Sequence, residues 1–293
     1  MRRYRREGLE FDVLDLGPSG AETIVLLHGF PQGSRAWIEV GPALASAGFR
    51  VLVPNQRGYS PGARPRQLHA YCLDELRKDL TALLDAVGVT SAHVVGHDLG
   101  GAVAWAAAED SPHRLKSLTL LSMPPPRALC RALFTGNQAY KSWYVLFLLL
   151  PMLPEVLVKA AGGSLAVSWL MRTGLPRDVA SVYIRQLRTG QSAATGALSW
   201  YRALPFWLRH VLPRPPVDVP TMLIWSDRDV AVGRRAASLT SRYVRAAYQF
   251  VELPGRSHWL PEQAPDMITK LILRHIQCTS SYAAAPENCE ERR

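Results

Sequence analysis

The sequence predicts an α/β fold with a mostly parallel central sheet and helices on both of its faces. The first observation is that short apolar runs alternate with helical segments, because wholly apolar strands are typical of parallel sheets buried on both faces. The second is that this alternation stops after the strand ending near residue 123 and resumes near residue 221. We therefore expect a core domain (1–124 and 213–277), an inserted helical cap domain (125–212) and a disordered tail (278–293).

The first part of the chain supplies one weakly alternating strand and four buried ones. These strands are predicted at 9–15, 23–29, 51–54, 92–98 and 115–123. The helices between them are predicted at 37–47, 73–87 and 99–110. The helix at 73–87 has the clearest pattern, because its leucines recur on one helical face and Gly88 then ends it.

The pattern beyond the cap domain completes the sheet. The predicted elements there are a strand at 221–227, a helix near 233–244, a strand at 248–253 and a helix at 265–277. Between 125 and 212 only helical segments punctuated by proline are predicted. The last segment, CTSSYAAAPENCEERR, has the composition of a disordered tail.

The composition excludes several classes of protein. A chain of 293 residues that is 48% hydrophobic and 20% charged can bury a large core, so a disordered chain is excluded. Its 4 cysteines are too scattered for a disulfide scaffold or a zinc site, and we expect a reduced, cytoplasmic protein. The basic N-terminus lacks the apolar region of a signal peptide. The apolar stretch Trp143–Leu153 is about half as long as a membrane span.

The net charge of +10 is not accompanied by a nucleic-acid-binding motif, so we expect no nucleic-acid partner. Most of the charge falls in the predicted cap domain, where 10 basic and 2 acidic residues give a balance of +8. This excess suggests transient contact with an anionic membrane surface, or a lipid substrate that bears an acid group. The oligomeric state is not predicted by any feature of the sequence.

The sharpest chemical signal is the segment Gly96-His97-Asp98-Leu99-Gly100-Gly101, which lies between a buried strand and a helix of small residues. Small residues around a central side chain permit a sharp strand-to-helix turn that exposes that side chain above the sheet, as at a nucleophile elbow. The alternative is that Asp98 is an ordinary helix cap.

The choice of aspartate constrains the reaction. A carboxylate that attacks an sp³ carbon leaves an ester, and the ester carbonyl can then be hydrolysed through a stabilised oxyanion. A serine attacking the same carbon would leave a stable ether. Asp98 therefore points to epoxide opening or carbon–halogen cleavage rather than to esterase chemistry.

Hydrolysis of such an ester needs a general base and an acid that orients it. We predict His258, in the loop after the last strand, as the base. Asp229 is our choice for the orienting acid, and Asp227, two residues closer to its strand, is the second candidate. Each of these residues taken alone could be a solvated loop residue. The order along the chain of nucleophile, acid and histidine nevertheless favours a catalytic set that requires no metal and no organic cofactor.

An oxyanion hole is predicted beside the nucleophile. Gly29 lets the backbone approach closely, and Pro31 fixes the turn after the first buried strand. The backbone N–H groups of Phe30 and Leu99 would then hold the ester carbonyl of Asp98. His28, at the end of the strand, is expected to be structural rather than catalytic.

These motifs resemble those of the α/β-hydrolase fold, specifically its epoxide hydrolase branch, over about residues 8–277. The motifs are HGFP (28–31), RGYS (57–60), GHDLGG (96–101), WSDRD (225–229) and SHW (257–259). The resemblance implies two cap tyrosines that donate hydrogen bonds to the epoxide oxygen. Tyr144, in Ser-Trp-Tyr-Val-Leu-Phe, and Tyr201, in Ser-Trp-Tyr-Arg, match them. The alternative is that both aromatics only pack the cap.

The sequence departs from the pattern of this branch at one position, since many members have a tryptophan directly after the nucleophile and this chain has Leu99. In the related haloalkane dehalogenases that tryptophan donates a hydrogen bond to the halide. Leu99 and Phe30 offer no side-chain donor, so we predict an epoxide hydrolase that converts lipophilic epoxides to vicinal diols. A dehalogenase with the same nucleophile and a non-catalytic hydrolase-like binding protein remain alternatives. We expect Trp143, Phe147, Trp200 and Phe30 to contact the substrate, within a cap rich in apolar side chains.

Overall fold

A computed structural model describes residues 1–190 and 192–283. They form one eight-stranded sheet in the order β1-β2-β4-β3-β5-β6-β7-β8. The strands are β1 (Arg3–Arg6), β2 (Leu9–Leu16), β3 (Thr23–Leu27), β4 (Arg50–Pro54), β5 (Ala92–His97), β6 (Leu115–Leu121), β7 (Thr221–Ser226) and β8 (Tyr248–Leu253). Strands β3 to β8 pair in parallel, whereas β1 and β2 are antiparallel to their neighbours. The predicted fold class is confirmed.

Strand β1 is the one strand that the sequence analysis missed. Its basic residues are in register with the acidic residues of β2, so that Arg3 pairs with both Glu10 and Asp12. On the opposite side of the strand, Tyr4 stacks on Phe11 with ring centroids 4.7 Å apart. Short, charge-rich edge strands lack the apolar run by which buried strands are recognised.

Helices cover both faces of the sheet, and the side chains of each strand alternate between two apolar clusters. The core helices are α1 (Val40–Ser46), α2 (Leu73–Ala86), α3 (Leu99–Asp110), α11 (Arg234–Leu239), α12 (Leu260–Gln263) and α13 (Pro265–Ala283). Ile24 and Leu26 of β3 pack in the cluster that includes residues of α1 and α13. Val25 and Leu27 pack in the cluster that includes residues of α2 and α3.

Helix α13 corrects the predicted tail. It continues through Ala283, six residues beyond its expected end at 277, so residues 278–283 are helical rather than disordered. Ile268, Ile272 and Ile276 are buried at helical spacing, and this packed face anchors a helix that continues into residues of lower apolar content. The rest of the predicted tail, 284–293, lies outside the described residues.

The segment that connects β6 to β7, which are neighbours in the sheet, contains no strand within its described residues. We call this segment, 125–212, the cap. Its α-helices are α4 (Pro126–Thr135), α5 (Gln138–Lys141), α6 (Trp143–Leu149), α7 (Leu153–Lys159), α8 (Ser164–Arg172), α9 (Arg177–Arg188) and α10 (Ala193–Arg202).

Among the described residues, no single helix has both the length and the hydropathy that a membrane span requires. Helix α6 and the helical segment Leu153–Arg172 satisfy them only as a pair, and they meet at a bend of 92°.

Candidate active site

Asp98 occupies the turn between β5 and α3 and is 5% exposed. Its φ angle of 51° lies in the left-handed region, which is strained for a residue with a side chain. Such a turn places the side chain at the carboxyl end of the parallel strands, where active sites of open α/β sheets are found. The surrounding glycines make the turn possible, because a Cβ on Gly96 would lie 2.5 Å from the carbonyl oxygen of Gly100.

The loop after β3 approaches the same carboxylate. The backbone N–H of Phe30 donates a hydrogen bond of 2.9 Å to Oδ1 of Asp98. This approach requires the glycine that precedes Phe30, since a Cβ on Gly29 would lie 2.4 Å from Oδ1 of Asp98. Leu99, whose N–H is the other predicted donor, is the first residue of α3. One of the two predicted N–H groups is thus already bonded to the carboxylate.

His258 lies between two buried carboxylates. Its Nε2 is 3.4 Å from Oδ2 of Asp98, and its Nδ1 is 3.1 Å from both carboxylate oxygens of Asp229. Asp229 is fully buried, and its Oδ1 also accepts the backbone N–H groups of Ala231 and Val232. Asp227, the second candidate for the acid, is exposed and instead accepts the N–H of Gly255. The structure therefore places Asp229, not Asp227, against the imidazole.

The two carboxylates set the charge of this histidine. Burial alone would lower the pKa of His258, but the charges and hydrogen bonds of Asp229 and Asp98 outweigh it and raise the pKa to about 10. Burial raises the pKa of Asp98 and of Asp229, yet the facing imidazole holds both below their usual value. The two carboxylates therefore favour the protonated form of the imidazole, and the imidazole favours the ionised form of both carboxyl groups.

The cap brings two phenols over Asp98. Tyr144 is on α6 and Tyr201 is on α10, with ring centroids 6.4 Å apart in an edge-to-face arrangement. Tyr201 also packs edge-to-face on Phe30 at 5.2 Å. Burial raises the pKa of both phenols well above the usual value, and the Asp98 carboxylate acts in the same direction. Both phenols therefore keep their protons and can act as donors.

Three adjoining cavities surround Tyr144, and Trp143 lines all of them. The catalytic cavity, about 140 Å³, is lined by Asp98, His258 and both phenols. The long cavity, about 580 Å³, is also lined by Asp98 and both phenols, and it extends to exposed side chains that include Leu133 and Leu208. The apolar cavity, about 210 Å³, has an apolar and aromatic lining.

The predicted substrate-contacting residues separate into two groups. Phe30, Trp143 and Phe147 line one or more of these cavities, as do Leu148, Trp169 and Trp207 of the cap. The expectation for Trp200 is corrected by its position, since it lines none of the three. Trp200 is buried where the cap meets the core, and its indole N–H donates to the carbonyl oxygen of Arg57 at 2.7 Å. It therefore fastens the cap to the core.

His28 has the structural role expected of it. Its Nδ1 lies 3.0 Å from the carbonyl oxygen of Gly29, and its Nε2 accepts the backbone N–H of Gln56 at 3.2 Å. Complete burial lowers the pKa of His28 to about 4. A neutral ring that is bonded at both nitrogens stabilises the turn before Phe30 and has no free group for catalysis.

A buried polar network behind the site was not predicted. Oε1 of Gln32 accepts the N–H of Gly29 at 2.7 Å and lies 2.9 Å from Nδ1 of His97. Nε2 of His97 in turn lies 2.9 Å from the carbonyl oxygen of His258. Gln32 also donates to Glu262 at 2.7 Å. This network joins the loop that carries the Phe30 N–H to the loop that carries His258. It was not predicted because its members are far apart in the sequence.

Lys141 is a further residue of the catalytic cavity that the sequence analysis did not single out. Its ammonium group donates to the carbonyl oxygen of Asp229, and its side chain lines the cavity with Trp143 and Val230. The contact links α5 of the cap to the loop after β7. Only the proximity of Lys141 to the tyrosine motif could have indicated it.

One group of potential metal ligands is found among the described residues: Asp74, Asp110 and His210. Asp110 pairs with Arg77, Arg209 and Arg214, so the cluster already contains three guanidinium groups. None of the three potential ligands lines a cavity that contains Asp98. The cluster joins the cap to the core through ion pairs.

Known proteins resemble the chain in sequence and in fold. A family model described as the alpha/beta hydrolase fold matches residues 22–145. The AB hydrolase superfamily protein YfhM of Bacillus subtilis is 30% identical over 92% of this chain and 95% of its own length. Epoxide hydrolase A of Mycobacterium tuberculosis is 30% identical over 92% of this chain and 94% of its own length.

Solved structures agree with this result. The crystal structure of epoxide hydrolase A from Mycobacterium thermoresistibile superimposes with a TM-score of 0.82 at 26% identity, over 94% of this chain and 97% of that one. The fold and the buried Asp98–His258–Asp229 cluster define an α/β hydrolase with an aspartate at the elbow. The chain belongs to the epoxide hydrolase family of this fold.

Proposed function

We propose that this protein hydrolyses lipophilic epoxides to vicinal diols through an ester on Asp98. The observation that carries the proposal is that a buried carboxylate, a paired imidazole and two protonated phenols line one cavity. The names of the relatives agree with it, since several are epoxide hydrolases. A phenol pair has a clear purpose in this reaction, because the ring oxygen stays attached to the substrate and needs a proton where it opens.

The first half-reaction is the opening of the ring. Oδ2 of Asp98 attacks a ring carbon, the carbon–oxygen bond breaks, and the ring oxygen takes a proton from Tyr144 or Tyr201. Oδ1 is the oxygen already bonded to the N–H of Phe30. Attack by Oδ2 therefore leaves Oδ1 as the ester carbonyl oxygen within its hydrogen bond.

The second half-reaction is hydrolysis of the ester. Water gives a proton to Nε2 of His258 and attacks the Asp98 carbonyl carbon. The N–H groups of Phe30 and Leu99 hold the resulting oxyanion. The intermediate then collapses with release of the diol, whose new hydroxyl takes the proton from His258, and a water-derived oxygen remains in the Asp98 carboxylate. The imidazolium proton of His258 passes, before hydrolysis, to the phenolate that ring opening leaves, so the phenol is restored and the imidazole becomes the free base. The second proton of the water returns to His258 as Asp98 becomes a carboxylate again.

The electrostatics of the cluster couple these two steps. In the free protein the Asp98 carboxylate contributes to the raised pKa of His258, which is then an imidazolium and no base. Ester formation removes that negative charge. The pKa of His258 then falls, and Asp229 remains to orient the neutral ring towards water. We infer that alkylation of Asp98 itself converts His258 into a general base.

The test is product analysis with a panel of lipophilic epoxides and matched haloalkanes. The wild-type protein is expected to form diol, and Asp98→Ala is expected to form none. Asp227→Ala is the matched control, because Asp227 is exposed and does not contact the imidazole. Halide release without diol would instead support a dehalogenase. Neither product, together with no adduct on a His258 variant, would support a binding protein.

We also propose a cytoplasmic location. The cysteines within the described residues, Cys72, Cys130 and Cys278, are free thiols. Free thiols persist in reducing compartments. The exposed thiol of Cys278 tests the location: in whole cells it should be labelled rapidly by a membrane-permeant reagent and not by an impermeant one. Equal labelling by the impermeant reagent would overturn the proposal.

A further inference from the structure

We propose that the outer surface of the cap docks on an anionic lipid bilayer. The first observation is an exposed apolar strip that runs from Trp143 to Val156. Leu146 is 70% exposed, Met152 75% and Val156 57%. The whole strip comprises Trp143, Leu146, Leu149, Leu150, Met152, Leu153 and Val156. Contiguous apolar surface of this kind is rare on soluble monomers unless it contacts a partner or a membrane.

Helical geometry explains why the strip faces outward. In α6 the inward face is taken by Tyr144, Phe147 and Leu148, which line the cavities. In α7 the buried residues are Pro154 and Val158. The apolar residues of the strip occupy the remaining face of both helices. Apart from Trp143 and Leu146, which also line cavities, they are therefore surplus to the packing of the cap and of the substrate cavities.

The same cap also carries uncompensated positive charge. The only acidic residue within it, Glu155, is held by two hydrogen bonds from Arg202, at 2.6 and 2.9 Å. By contrast, a set of exposed cations in the cap has no carboxylate partner among the described residues. These cations are Arg131, Lys159, Arg172, Arg177 and Arg185. Their charge is available to an external anionic surface.

Part of this charge lines a groove between α8 and α9. The groove, of about 430 Å³, contains the side chains of Arg177, Arg185 and Arg188. It also contains Gly162 and Ser164, which lie shortly after the end of α7 at Lys159, and α7 packs against both α8 and α9. Guanidinium groups bind phosphate oxygens with good geometry. The groove therefore offers a seat for phosphate headgroups beside side chains that can enter the acyl region.

The long cavity favours a membrane, rather than a second copy of the chain, as the partner that covers the apolar strip. Leu146 belongs to the strip and also lines the long cavity, which Asp98 lines as well. An apolar ligand could pass from a bilayer to Asp98 without crossing water. Two caps facing each other would instead bring together two surfaces of charge +8, and these would repel.

Vesicle co-sedimentation of the full chain, without any epoxide, tests the proposal independently of catalysis. We expect binding to vesicles of phosphatidylcholine mixed with phosphatidylglycerol, and at least about tenfold weaker binding to phosphatidylcholine alone or at high salt. Lys159→Glu/Arg185→Glu should weaken binding by a similar factor. The control Lys270→Glu/Arg274→Glu makes the same change of net charge at exposed residues of α13 and should leave vesicle binding unchanged.

A second pair of variants tests the apolar strip. Met152→Ser/Val156→Ser should reduce binding to the mixed vesicles. The control Ile38→Ser/Met267→Ser changes two exposed apolar residues of the core domain and should not reduce it. Unchanged thermal unfolding would show that each variant is folded. The proposal would be overturned by equal binding to both kinds of vesicle or by equal effects of the cap and core variants. It would also be overturned if the protein did not bind vesicles and instead formed a concentration-dependent dimer that Met152→Ser/Val156→Ser dissociates.

Discussion

Nε2 of His258 lies 3.4 Å from Oδ2 of Asp98, close enough for the charge of each group to control the protonation of the other. The base of the proposed second step is thereby charged in the resting protein and is released by the first step. The same contact explains how the buried carboxylate of Asp98 stays ionised and nucleophilic.

The pKa of His258 should therefore depend on Asp98. Asp98→Asn removes one of the two negative charges that outweigh burial, so the pKa of His258 should fall from about 10. The ring should then lose its proton at lower pH than in the wild-type protein. Titration of the imidazole nitrogens by NMR measures this shift. Asp227→Asn, the control, should leave the titration in place, and an unchanged pKa in Asp98→Asn would contradict the account.

Asp229 should matter far more than Asp227. Asp229→Asn replaces the acceptor of the Nδ1 proton by an amide and is expected to reduce kcat by about 10²–10⁴, as loss of the orienting carboxylate does in other triads. Asp227→Asn should retain nearly full activity. Steady-state kinetics of the two variants side by side decides the matter. An equal loss of kcat in both variants would mean that the substitutions act by disrupting the structure of the loop.

The phenols should act on ring opening and not on ester hydrolysis. Tyr144→Phe and Tyr201→Phe should each slow the alkylation of Asp98, by about 10–10³-fold, because each removes one proton donor. Single-turnover measurements of ester formation report that step directly. Tyr140→Phe is a matched control, since Tyr140 is on the same cap segment but is 82% exposed. If Tyr144→Phe/Tyr201→Phe alkylated Asp98 at the wild-type rate, the phenols would have no part in the mechanism.

Trp200 should contribute to stability rather than to substrate binding. Trp200→Phe keeps an aromatic ring but leaves the carbonyl oxygen of Arg57 without its donor, which is expected to cost about 1–3 kcal/mol of unfolding free energy. KM should change little. Thermal or denaturant unfolding and steady-state kinetics measure the two effects, with exposed Trp143→Phe as the comparison. A large change of KM without loss of stability would restore Trp200 to the substrate site.

The buried sheet was predictable because its strands are wholly apolar and short, and because glycines mark the turns at Asp98 and Gly29. The edge strand β1 was not, since Arg3 and Tyr4 find their partners only once β2 is in place. Helix α13 extends beyond its predicted end because the buried isoleucines anchor it, an effect of tertiary packing that composition does not reveal.

The site shows the same division. Asp98, Asp229 and His258 could be chosen from motif order alone, and the structure brings their side chains together. The position of Trp200 could not be predicted, because whether an aromatic residue faces a cavity or the core depends on how α10 packs. The network of Gln32 and His97 could not be predicted either, because its hydrogen bonds join residues that are far apart in the sequence.

Intact-mass analysis of His258→Gln after exposure to a lipophilic epoxide tests the covalent mechanism most directly. This variant keeps the nucleophile and the phenols but lacks the base, so it should accumulate one adduct whose added mass equals that of the substrate. Asp98→Ala/His258→Gln should show none, and peptide mapping should place the adduct on Asp98. An adduct that persists without Asp98, or diol formation by the wild-type protein with no adduct on His258→Gln, would contradict an ester intermediate on Asp98.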